Sequence, residues 1–102
     1  MAKIMMVAKY PPHKLDELVK TYMRTDKPVY PDFLKKVEHW AAQVTDEKHK
    51  IYAVYECPDD KIIESMAALT KRFSFYASVE GYIFQCELLA NAEDAIKEYL
   101  KK

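Results

Sequence analysis

Glycine is almost missing from this chain: Gly81 is the only one in 102 residues. A GxGxxG dinucleotide turn, a Walker-type phosphate cradle and a GxSxG nucleophile elbow each need several backbone positions free of a Cβ, so all three are excluded. Excess charge is missing too. The 16 Lys and Arg balance 16 Asp and Glu, with the signs interspersed, which removes the basic footprint of phosphate neutralisation and argues against a nucleic-acid partner. The 2 cysteines, Cys57 and Cys86, sit in strand-like contexts without CxxC spacing and are expected as reduced, largely buried thiols. The 3 histidines, His13, His39 and His49, make no HExxH or other metal pattern, so neither a metal nor a cofactor is expected. Long apolar runs are also lacking. The run between Lys3 and Lys9 is too short for a signal h-region or a bilayer span, which gives the expectation of a cytoplasmic protein without a membrane partner.

What is present reads as one continuous domain over residues 1–102, without repeats, low-complexity tracts or linkers. Residues 3–10, KIMMVAKY, form a buried-strand pattern that Pro11 and Pro12 stop. Leu15, Leu18, Val19, Tyr22 and Met23 then share one face of a helix. Two prolines make residues 25–31 a loop. The next segment divides the pattern: Phe33, Leu34, Val37, Trp40, Ala41 and Val44 fit a helical face, toward which periodicity leans, whereas VEHWAAQVT also reads as a strand. Residues 50–57 are the safest strand. Asp59 is expected to cap a helix whose inner face carries Ile62, Ile63, Met66, Leu69 and Phe73. A strand, YIFQCELL, follows the aromatic link FSFYASVEG, and Gly81 stands at its entry, where a positive φ or a bulge would bend the chain. Asn91 with Asp94 resembles a capping box, and Ala95, Ile96 and Leu100 would lay a closing helix on the body of the fold.

With VEHWAAQVT as strand, the order is βαββαβ plus a terminal helix, the ferredoxin-like α+β arrangement with an antiparallel four-stranded sheet. The strand followed by Pro11-Pro12, the Lys14-Leu15-Asp16-Glu17-Leu18 helix start, the Tyr30-Pro31-Asp32-Phe33-Leu34 lead into a Trp-containing strand, and the AVYECPDD junction resemble small members of the dimeric α/β-barrel superfamily. That resemblance, over roughly residues 4–90, is what selects strand over helix for residues 35–45. It implies a homodimer in which two sheets pack face to face, with small organic ligands held between sheet and helices or within the barrel. Independently, a sheet with helices on one face leaves its other face needing cover.

Alternation along the strands then sorts the candidate residues. The uncharged sets Tyr82, Phe84, Cys86, Leu88 and Ala53, Tyr55, Cys57 are expected to meet the helices. The opposite face would carry Lys9, Tyr52, Glu56, Gln85 and Glu87, joined by His39 and Gln43. Polar groups converging on an aromatic cleft describe a ligand site, with Lys9, Trp40, Gln43, Tyr52 and Gln85 as ligand contacts. His39, beside Trp40, is the candidate general base, its tautomer fixed by Glu56 or Glu87. Those two carboxylates could also make an acid and base pair, or each could end its strand facing water or Lys9. His13 and His49 are expected at the surface. The leading functional expectation is a homodimeric small-molecule-binding protein with an apolar or aromatic ligand. The alternatives are a cofactor-independent monooxygenase or isomerase acting on an aromatic, quinone-like substrate, and a non-catalytic regulatory or scaffold module, favoured if no pocket exceeds ~300 Å³.

Overall fold

The computed structural model describes residues 1–43 and 48–101. The first apolar run forms strand β1 (Ala2–Tyr10). A 3-10 turn, Pro12–Lys14, leads into helix α1 (Leu15–Tyr22); proline is tolerated there because the first N–H groups of a helical segment have no internal partner. Strands β2 (Lys35–Gln43) and β3 (His49–Cys57) are antiparallel neighbours. The helical periodicity of residues 33–44 therefore does not describe this segment, and the strand alternative is the one observed. Tertiary pairing wins over periodicity here because every residue of β2 except Val37 finds a register partner on β3. Val37 is the extra residue of a bulge between Lys36 and Glu38. Val44 lies outside the described residues.

Helix α2 (Ile62–Ser74), strand β4 (Ile83–Leu89) and helix α3 (Ala92–Leu100) complete the chain. The sheet order is β2-β3-β1-β4 with every neighbouring pair antiparallel. This is the expected α+β, βαββαβ layout with a C-terminal helix. Ile4, Met6, Ala8 and Tyr10 of β1 and Ala53, Tyr55 and Cys57 of β3 meet Leu18, Leu69, Phe73 and Tyr76 in one core. Tyr82, Phe84 and Cys86 pack against that core as expected, whereas Leu88 is exposed. Cys57 is buried and Cys86 half-buried, and both are free.

Gly81 takes φ +85°, in a turn that the Tyr82 N–H closes on the Val79 carbonyl at 3.0 Å. This is the third turn position, where positive φ selects glycine. A Cβ there would lie 2.6 Å from Pro11 Cγ.

Three local expectations are corrected. Asp59 caps nothing: a 3-10 turn, Asp59–Lys61, precedes α2, and the Asp59 carboxylate instead meets the Met1 amino group at 3.5 Å. Ile63 is 82% exposed, because the buried stripe of α2 runs through Ser65, Leu69 and Phe73 and leaves position 63 outside it. The third concerns α3. Asn91 does cap it, accepting from the Asp94 N–H at 3.1 Å. Yet every residue of α3 is exposed, Ile96, Tyr99 and Leu100 included.

Candidate functional site

Between the helix side of the sheet and α1, α2 and the loop at residues 25–31 lies a cleft of about 300 Å³. Met6 and Tyr10 of β1, Ile51 and Tyr55 of β3, and Lys36, His39 and Ala41 of β2 form its floor. Leu15, Leu18, Val19 and Tyr22 of α1 form one wall, and Arg72 and Phe73 of α2, with Tyr30, Tyr76 and Tyr82, form the other. The apolar stripe of α1 is the one expected from its spacing, but only Leu18 of these four is buried. The helix borders the cleft without closing it.

The lining chemistry has two components. The first is aromatic: 6 tyrosines reach the cleft. The Tyr30 and Tyr55 hydroxyls hydrogen-bond at 2.7 Å, and their rings meet edge to face at 5.4 Å. Phe73 stacks on Tyr76. Burial, reinforced at Tyr55 by the Tyr30 hydroxyl, pushes the Tyr55 phenol far above its ordinary pKa; burial does the same to Tyr82. Both phenols are therefore neutral hydrogen-bonding groups.

The second component is cationic. Arg72 donates from one terminal nitrogen to the Pro28 carbonyl at 2.7 Å, and its guanidinium lies 4.6 Å from the centre of the Tyr30 ring. It thereby ties the 25–31 loop to α2. Lys36 Nζ lies 3.4 Å from His39 Nδ1. Lysine has donors only, so Nδ1 accepts and the hydrogen of the neutral ring sits on Nε2. Burial first, then Lys36, lowers the His39 pKa and favours that neutral ring. Burial first, then Arg72, lowers Lys36. Lys27, whose ammonium lies 4.1 Å from the centre of the Tyr22 ring, is lowered by burial, then Arg72 and Lys36. No carboxylate lines the cleft among the described residues.

The sequence-derived site is divided by the sheet. His39 pairs with Ala53 and so faces the helices, whereas Trp40 pairs with Tyr52 on the open face. Adjacent strand residues point to opposite faces, so the two cannot share a site. Trp40 is 64% exposed and donates to Glu38 Oε1 at 3.1 Å. Lys9, Tyr52, Glu56, Gln85 and Glu87 do lie together on the open face, in register through β1: Lys9 opposite Lys50 and Ile83, Val7 between Tyr52 and Gln85, Met5 between Val54 and Glu87. Glu56 and Glu87 are not neighbours. They stand on β3 and β4 with β1 between them, roughly 10 Å apart by strand spacing alone. Glu56 pairs with Lys3 at 3.6 Å, and Glu87 accepts from Gln85 Nε2 at 2.8 Å. The group that orients His39 is thus Lys36, across the sheet from both carboxylates. Gln43 sits in β2 opposite His49, but its side chain lies outside the described residues. His13 is exposed as expected; His49 is half-buried against Tyr10, its Nδ1 3.3 Å from the Tyr10 hydroxyl.

Sequence reasoning missed Lys36, Arg72, Tyr22 and Tyr30 as cleft residues. Arg72 had a signal: Leu69, Arg72, Phe73 and Tyr76 follow i, i+3, i+4, i+7, so a lone cation interrupts an apolar stripe. Lys36 had none. It shares a face with His39 only because the bulge at Val37 resets the alternation.

Among the described residues, no cluster of His, Cys, Asp and Glu is placed to hold a metal, and no helix is long and apolar enough to cross a membrane. No family model, curated protein or solved structure matches the chain.

Proposed function

We propose that this chain is a homodimeric small-molecule-binding protein of the dimeric α/β-barrel kind, with its ligand site in the cleft on the helix side of the sheet. The observation that carries this reading is the cleft itself, about 300 Å³ of mostly apolar space into which tyrosine hydroxyls, an imidazole, an ammonium and a guanidinium converge. That combination of apolar walls and a few polar groups is the usual makeup of a ligand pocket, and the volume lies at the lower end of the usual range of ~300–1,000 Å³.

The open face supports the dimer. Met5, Val7, Tyr52 and Val54 form its centre by register. Lys9 and Lys50 stand opposite each other at one end, while Glu38, Glu56 and Glu87 lie toward the other, beside Lys3 and Lys35. Like charges directly opposite each other are unfavourable within one sheet. A two-fold that reverses the strand direction would set the lysine end of one copy against the acidic end of the other. Four strands at their usual spacing present roughly 500 Å², short of the ~800 Å² per partner of a stable interface. The exposed apolar side chains of α3 would supply the remainder.

The cleft reading is tested by filling it. Ala41 lines the cleft and is exposed, so Ala41→Trp adds bulk without displacing the core. Aromatic compounds that raise the melting temperature of the wild-type chain are expected to leave Ala41→Trp unmoved. Equal shifts in both proteins would place the ligand elsewhere.

A further inference from the structure

We propose that the cleft selects an aromatic carboxylate, seating the ring among the tyrosines and the carboxylate between Lys36 and Arg72. This rests on the cleft reading above and adds the charge of the ligand to it.

Donors outnumber acceptors at the charged end of the cleft. Lys36 and Arg72 both line the cleft, and neither forms an ion pair among the described residues. The carboxylates of Asp26, Glu17 and Glu64 pair instead with Arg24, Lys14 and Lys61. Arg72 uses one terminal nitrogen on Pro28. Arg72 nonetheless lines the cleft, and the planar fork of a guanidinium matches the two oxygens of a carboxylate.

His39 adds to the same balance. With Nδ1 accepting from Lys36, its remaining nitrogen is a donor. Three side chains therefore bring donors to one cleft, and its remaining polar lining is phenolic. Lys27 adds a third positive group, beside Lys36 and Arg72, close enough to both to be disfavoured by them. Crowding like charges in a partly desolvated site works against folding, and an anion among them reverses that cost. The rings supply the rest of the specificity: Tyr55, Phe73 and Tyr76 offer edge and face contacts to a planar group.

Isothermal titration of the full chain with 1-naphthoate and with its uncharged analogue 1-naphthamide tests this directly. Naphthoate is expected to bind at least roughly tenfold more tightly, the size of one charge-assisted hydrogen bond. Lys36→Gln, at an exposed position, should remove most of that advantage by weakening naphthoate far more than naphthamide. Arg72→Gln should do the same, checked by circular dichroism because it also releases Pro28. Lys50→Gln, on the open face, should change neither. Equal affinity for the two compounds would overturn the carboxylate preference and leave the cleft reading standing. A naphthoate preference that survives both Lys36→Gln and Arg72→Gln would overturn the assigned seat. If neither compound binds, the cleft reading falls, and this inference with it.

Discussion

Gly81 and Pro11 meet where the chain enters β4, and the pair shows how one backbone position fixes a strand. The positive φ of Gly81 is disfavoured for any other residue, and the space a Cβ would need is filled by the Pro11 ring. Gly81→Ala is therefore expected to cost about 1–3 kcal/mol from backbone conformation alone, plus the clash. Urea unfolding of Gly81→Ala, Pro11→Ala and the double variant checks this. The double variant should be more stable than the sum of the single losses predicts, and strict additivity would show that the two residues do not interact. The role of Gly81 was legible in the sequence, because an isolated glycine at a strand entry has few other uses. The face of His39 was not. Alternation states that His39 and Trp40 point apart, but which of them meets the helices depends on pairing with Ala53 and Tyr52, a long-range fact that residues 37–44 do not contain.

At the scale of elements, strands β1, β3 and β4 and helices α1 and α2 were legible because their periodicity matches the element each one forms. β2 is where they part. Its helical spacing is incidental to a strand that carries Lys36, His39 and Ala41 into the cleft, and the bulge at Val37 leaves no mark in composition. α3 shows the reverse: its cap and amphipathic pattern were readable, but the pattern does not say what the apolar face meets. Ile96, Tyr99 and Leu100 contribute little to the fold of one chain. A chain ending before Asn91 should keep its strand and helix signature, with stability within about 1 kcal/mol once association is removed, as expected for exposed residues. The full chain should sediment as a dimer at micromolar concentration and the shortened one as a monomer. Monomeric behaviour of both would remove the dimer from the account. Loss of folding in the shortened chain would show that α3 is part of the core.

At the scale of the molecule, the two faces of one sheet differ in chemistry. The helix side builds an aromatic, cationic cleft; the open side carries an apolar centre with charges of both signs toward its ends. Reading polar residues by alternation alone gathered Lys9, Tyr52, Glu56, Gln85 and Glu87 correctly onto one face. The polar groups of the helix-side cleft, Arg72 and Lys36, were not gathered with them, because they come from a helix and from beyond a bulge. The most direct test is to record nuclear Overhauser effects from the ring protons of bound 1-naphthoate to methyl groups of the protein. The account predicts contacts to Leu15, Leu18, Val19 and Ile51, which line the cleft. Contacts confined to Val7, Val54 and Ile83 would place the ligand on the open face and contradict it.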